Sequence, residues 1–341
     1  MRFLYIGQYT QGTTSRMRGE TLKRILKPSV SQVIDTHVPF YKCYSLFRSL
    51  AFRYKTGPVI WNTNSFILQS LSGHYDVIWV DKAVFINPET TRQLRSITDS
   101  LIHYTPDTAF KENQSKAFYK SISYYDYAIT TKSFERDAYL RLIPEEKLLF
   151  IPQGFDKKVH YPRHSFIEKK AEVLFIGLYE PARAKVISYL LHQNIRVTLA
   201  GKNWHDFIAK HKNKALTFMG ESLFKEDYAW AISGAKFSLG LVSKRFPELH
   251  TTRTFEIPAC GTALLTERNH EINKFYKEDE VIFYDHLQEL ANKVNYYLKH
   301  DKALKKVTQR GYEKVTQSGY DYESQLTKVC RHTGILKTPK A

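Results

Sequence analysis

The chain has 341 residues, 43% hydrophobic and 25% charged, ordinary globular values at a length suited to two domains of roughly 150 residues each. Its 51 Lys and Arg against 34 Asp and Glu leave a formal charge of +17, which favours polyanions: nucleic acid, anionic lipid headgroups or phosphate-bearing substrates. The start, MRFLYIGQYT, reaches Gly7 and a polar loop before a signal-peptide apolar region forms, and no run has the apolar length of a membrane span. A soluble, cytoplasmic chain is expected. Cys43, Cys260 and Cys330 are too scattered for a disulfide framework or a metal site, and only Lys337 to Ala341 reads as a tail.

Short apolar runs alternate with helical patterns from end to end, which predicts parallel α/β sheets. The first half gives strands at Arg2–Gly7, Val30–Asp35, Asp76–Asp81, Ser100–Thr105, Tyr127–Thr131 and Lys147–Pro152. Helices are predicted at Met17–Lys27, Pro88–Ile97 and Ser133–Leu142. The polar segment QGFDKKVHYPRHS, with Gly154 and Pro162, breaks the pattern. The alternation then restarts, with strands at Glu172–Gly177, Arg196–Gly201, Leu216–Gly220, Phe237–Val242, Ala263–Thr266 and Val281–Tyr284. Helices are predicted at Ala182–His192, Leu287–Lys314 and Tyr322–His332. The expected organisation is two Rossmann-like domains facing across a central cleft, residues 1–155 and 156–320, with a C-terminal helix near 320–335 packing back onto the first. Ligands of such sheets bind at the C-terminal ends of strands.

Chemistry concentrates in ELHTTRTFEIPACG, where Glu248 and Glu256 are separated by seven residues. The pattern puts Glu248 in the loop before a helix and His250–Thr252 at the helix start, where free backbone N–H groups can receive a diphosphate. Glu256, about a turn further on, is placed to accept hydrogen bonds from ribose hydroxyls. In the first half, the loop GQYTQGTTSRMRGE leads from strand to helix and is neither a GxGxxG nor a P-loop. In LIHYTPDTAF, His103 ends a strand and Asp107 follows in the loop, each able to orient a hydroxyl or take its proton. No Asp-x-Asp and no His/Cys/Asp cluster with metal-ligand spacing occurs, so no metal or cofactor is expected. Between Asp35 and Asp76 there is no acidic residue, and FYKCYSLFRSLAFRYK interleaves aromatics with Lys42, Arg48, Arg53 and Lys55. That stretch reads either as a core helix with a solvated basic face or as a helix lying on an anionic membrane.

The segment from Glu248 to Glu256 resembles the E-x7-E region of the retaining GT-B glycosyltransferases of the family 1/4 group, and RTFEIPACG is similar to the CgeB-like, spore-maturation-protein-like branch. IPQGFD resembles the interdomain hinge of that group, VLFIGLYEPAR the first strand of its donor domain, and TFMGES with Gly220 a strand end that contacts the base. The resemblance runs from about residue 100 to 325; the first 100 residues match only in pattern. It implies a GT-B fold and a hexosyltransferase moving a sugar from a nucleoside-diphosphate sugar to a glycan, lipid-linked or protein acceptor, with retention and without metal. It also implies roles. Glu256 would bind ribose, Glu248 donor-sugar hydroxyls, and the amides near Thr251 and Thr252 the diphosphate. Arg183, helped by Arg253 or Lys185, would neutralise the leaving group, and Gly12 would border the donor sugar. Many relatives place an arginine directly after the glycine of the first donor-domain strand; here Leu178 stands there. Alternatives are a nucleotide-sugar epimerase of the same fold, a nucleic-acid-binding protein or DNA-modifying glycosyltransferase, and a non-catalytic sugar-binding relative.

Overall fold

The computed structural model describes residues 1–337; Thr338–Ala341, most of the stretch read as a tail, lie outside the described residues. The chain divides into two compact units, Met1–Pro152 together with the chain from Glu323, and Gln153–Tyr322.

The first unit is a six-stranded parallel sheet. Its strands are β1 (Arg2–Gly7), β2 (Val30–Asp35), β3 (Tyr75–Asp81), β4 (Thr98–Thr105), β5 (Tyr127–Thr130) and β6 (Leu148–Phe150), in the order β2-β1-β3-β4-β5-β6. A parallel sheet is covered on both faces, so its strands read as nearly continuous apolar runs. Here Leu4, Ile6, Ile78 and Val80 face one apolar layer, while Phe3, Tyr5, Val77 and Trp79 face the other. Leu326, Val329 and Cys330, spaced along one face of the helix Tyr322–His332, complete that second layer.

The second unit repeats the plan with β7 (Lys170–Ile176), β8 (Val197–Ala200), β9 (Leu216–Phe218), β10 (Ala235–Leu239), β11 (Ala263–Glu267) and β12 (Ile282–Tyr284). The order is β12-β11-β10-β7-β8-β9, all parallel. The strand order reverses between β7 and β10, which puts a crevice at their C-terminal ends. Trp204 is fully buried beside it and donates from its ring to the Gly177 carbonyl at 2.8 Å. Gly201, at φ +140, passes so close to that same carbonyl that a Cβ there would overlap it.

The predicted helix Leu287–Lys314 is two helices, Leu287–Lys299 and Asp301–Gln317, with His300 between them at φ −127 and ψ 64. The reason is the phase of the apolar stripe. Leu290 and Val294 face the same apolar cluster as Leu304 and Val307. A continuous helix at 3.6 residues per turn would set the two pairs about a quarter turn apart. The predicted start at Met17 is also early-shifted, to Thr14, because the Thr13 side chain caps the helix by accepting from the Arg16 amide at 3.2 Å. Among the described residues, no helix is long and apolar enough to cross a membrane.

Candidate functional site

The switch point of the second unit is flanked by two segments. The chain leaving β7 turns through Gly177–Glu180 into the helix Pro181–His192, which has proline in its first turn. The chain leaving β10 forms the loop 240–252 and then the helix Arg253–Ala259. Each contributes an arginine. Arg183 is 7% exposed, donates to the Leu178 carbonyl at 2.9 Å and lies 3.1 Å from Glu180. Arg253 donates to the Leu241 carbonyl at 3.2 Å. Both guanidinium carbons stand 5.8 Å from the centre of the buried Phe175 ring.

This corner is short of negative charge. Burial first, and the like charge of Arg253 second, push the Arg183 guanidinium down to about 10, against the pull of Glu180 and Glu248. The Nε groups of both arginines are buried without a hydrogen-bond partner. Glu180 also accepts from Ser243 at 3.1 Å and from the Lys244 amide at 3.3 Å, so its charge is shared. An anion bound here would satisfy stranded donors and relieve the repulsion between the two cations. Lys185 is exposed and lines an adjoining depression with Arg183, Lys244, Thr266, Asp285 and His286.

Glu248 is half-buried in the loop, and Glu256 is in the first turn of the helix Arg253–Ala259. Glu256 is 9% exposed, and its carboxylate accepts from the Tyr228 hydroxyl at 2.6 Å and lies 3.7 Å from Nε2 of His160. Burial and then the charge of Glu256 hold the Tyr228 phenol well above its ordinary value, so it remains a donor. A carboxylate fixed in this way keeps lone pairs for ligand hydroxyls. His250 accepts from the Gln153 amide at 2.9 Å on Nε2 and lies 3.2 Å from Glu271 on Nδ1, tying the loop to the IPQGFD segment.

Of the amides expected to be open at Thr251 and Thr252, that of Thr251 needs correcting. The Thr251 amide donates to the Thr254 hydroxyl at 3.1 Å, and the Arg253 amide donates to the Thr251 hydroxyl at 3.2 Å. The turn closes on its own threonines, because short hydroxyl side chains compete for nearby backbone donors. Thr252 sits at the helix cap in a helical conformation, with no side-chain cap hydrogen bond. Gly220, at φ +112, follows β9; its carbonyl accepts from the Gly201 amide at 3.0 Å, and an added Cβ would meet nothing within 4 Å.

The first unit treats its candidates differently. Gly12, at φ +90, is exposed in the loop after β1. Asp107 pairs with Lys82 at 2.6 Å at the C-terminal ends of β3 and β4, and remains substantially exposed. His103 is corrected from catalytic candidate to core residue. Its β4 position points into the apolar layer, where it is 1% exposed against Phe118 and Tyr125 at 4.9 and 5.4 Å between ring centres. Neither ring nitrogen has a hydrogen-bond partner, and burial lowers the imidazole to about 3. Burial thus favours its neutral form, and its ring is closed off from solvent.

Three contributions lie outside the sequence reading. Tyr228 and His160 reach Glu256 from segments remote in sequence, and no local pattern marks them. The third is a buried pair in the first unit: Arg18 grips Asp81 through two bonds of 2.7 and 3.0 Å, and Tyr5 donates to the same carboxylate at 2.8 Å. A signal for it existed. An arginine on the apolar face between Ser15 and Leu22, and an aspartate closing the apolar run VIWVD, are both residues that need a buried partner.

Residues 180–331 match the family model described as "Glycosyl transferase-like". No curated protein matches the chain. Among solved structures, it is similar to HepE from Anabaena in complex with UDP and glucose, with a TM-score of 0.65, 14% identity, and coverage of 98% of this chain and 100% of that one. Sucrose-phosphate synthase from Thermosynechococcus elongatus is similar with a TM-score of 0.69, 15% identity, and coverage of 98% and 100%. A glycosyltransferase from Rickettsia africae ESF-5 gives 0.67, 13%, and 99% of both chains. At these identities the likeness is one of fold, and the fold is GT-B, with two Rossmann-like α/β units.

Proposed function

We propose that the chain is a glycosyltransferase whose second unit holds a nucleoside-diphosphate sugar. The observation that carries this reading is the pair Arg183 and Arg253, one buried and one half-buried, each with a stranded, buried Nε at the β7/β10 switch point. In glycosyl transfer the bond between the anomeric carbon and the diphosphate oxygen breaks, and its electron pair leaves with the phosphate. Fixed cations at that oxygen stabilise the departing charge, with no water to reorganise. The arginines do this without a metal in our reading, and their planar forks suit phosphate oxygens.

Around this centre Glu256, gripped by Tyr228, takes the ribose hydroxyls, and Glu248 takes hydroxyls of the donor sugar. Lys185 is a peripheral charge, and Gly220 leaves space for the base. For Gly12 a role toward the donor sugar, and for Asp107 a role toward the acceptor, are proposed from the sequence and its family resemblance alone. The reaction retains anomeric configuration, as the E-x7-E arrangement of Glu248 and Glu256 suggests, and the acceptor is a glycan, a lipid-linked sugar or a protein. Support for UDP as the nucleotide comes from HepE, a protein of the same fold described in complex with UDP, with UDP and glucose, and with UDP-glucose.

The test is a thermal-shift panel of UDP, GDP, ADP, CMP and dTDP, each with magnesium and with a chelator. Stabilisation by one nucleotide in the chelator supports the reading, and product analysis with that nucleotide's sugars then separates transfer from epimerisation. No shift with any nucleotide, combined with tight, salt-sensitive binding of DNA, would overturn it.

A further inference from the structure

The helix Ser45–Tyr54 of the first unit wears its apolar side outward. At about 100° per residue, Leu46, Leu50, Tyr54 and Phe47 fall within one arc of about 100°. They are 66%, 41%, 61% and 55% exposed, and Tyr44, immediately before the helix, is 83% exposed. The inward side is served by Ala51, which packs with Phe40, Val59, Ile60 and Phe85. The outward arc is therefore not needed for the small core beneath it. A soluble surface scatters its large apolar side chains singly, and a contiguous set marks an interaction site.

The charge beside the arc names the partner. Arg53 falls about 20° beyond the Leu46 edge of the arc and Lys42 shortly precedes the helix, whereas Arg48 lies on the other side of the helix and Lys55 packs over the Phe52 and Phe85 rings with Glu112 acting on its charge; no acidic residue occurs in sequence between Asp35 and Asp76. A second copy of this chain would bring like charges together. A nucleic acid would engage the cations but leave Leu46 and Leu50 in water, because aliphatic side chains offer bases no stacking face. A surface that is anionic outside and apolar a few ångströms deeper satisfies both sets. We propose that this helix docks the protein on an anionic lipid membrane, with Leu46, Phe47, Leu50 and Tyr54 among the acyl chains and the basic side chains at the headgroups.

The experiment is flotation of the full chain with vesicles of phosphatidylcholine alone or mixed with phosphatidylglycerol, at low and high salt. Binding is expected on the mixed vesicles, weak on the neutral ones, and reduced by salt. The triple variant Leu46→Ser/Phe47→Ser/Leu50→Ser should bind at least about tenfold more weakly with an unchanged melting curve, since these side chains already face outward. The variant Lys42→Gln/Arg53→Gln, read independently, should lose about fivefold per charge on mixed vesicles and little on neutral ones. Failure of the wild type to float, or mixed-vesicle binding unchanged in the triple variant, overturns the proposal. So does a wild-type dimer in light scattering that the triple variant converts to monomer.

Discussion

Arg183 and Arg253 hold their guanidinium carbons at the same 5.8 Å from the Phe175 ring centre, although one follows β7 and the other follows β10. Two cations placed together, each with a buried donor left over, form an arrangement that a bound anion would stabilise. Replacing either by glutamine should weaken binding of a nucleoside diphosphate by about tenfold to a hundredfold, the scale of a lost charge-assisted hydrogen bond. Binding of the corresponding nucleoside, which lacks phosphate, should change little. Calorimetry with UDP and uridine reads both, and equal losses for the two ligands would place the arginines elsewhere than at the phosphates.

The two glutamates should separate in the same way. Glu256→Ala removes the partner of Tyr228 and should weaken UDP and uridine alike, because the contact assigned to it is with the ribose. Tyr228→Phe should do so more mildly, by up to about tenfold, since the carboxylate stays but loses its fixed orientation. Glu248→Ala should leave UDP binding near wild type while lowering turnover of the nucleotide sugar. Wild-type donor kinetics in both glutamate variants would remove the basis of the assignment.

His103 carries a pH signature that a surface histidine would lack. Its folded-state value is about 3 against an ordinary 6.5, because burial disfavours the charged form. Between those values the unfolded chain binds the extra proton, so stability falls as pH drops from 6.5 towards 3, by up to about 1.4 kcal/mol per pH unit. His103→Leu should flatten that slope, measured by urea unfolding at pH 5 and pH 7, and should leave transfer activity in place at pH 7. Loss of turnover in a folded His103→Leu protein would return the residue to the catalytic list.

The strand plan was legible because parallel strands buried on both faces leave apolar runs such as FLYI and VIWV between polar loops. What the pattern does not carry is the direction of a single side chain. His103 and Tyr104 are neighbours, yet the first faces the layer containing Phe118 and the second the layer containing Trp79; a histidine at a strand end looks the same from sequence in either case. The E-x7-E spacing put Glu256 in its helix, but its partners Tyr228 and His160 come from other elements. The open amides at Thr251 failed for a local reason: a run of threonines supplies its own acceptors.

The Arg18–Asp81 pair makes the sharpest stability prediction. Its side chains are 1% and 0% exposed, and it ties the helix after β1 to the C-terminal end of β3. Breaking a buried pair from one side leaves a charge in a medium that solvates it poorly. Arg18→Met should therefore cost about 3–5 kcal/mol in urea unfolding, and Asp81→Leu a similar amount. The double variant Arg18→Met/Asp81→Leu should cost less than their sum and less than either alone, because no lone charge remains and the Tyr5 hydroxyl still has the Ser15 carbonyl at 2.6 Å. Additive costs would mean that the two residues stabilise the unit independently and that the ion pair is incidental to the fold.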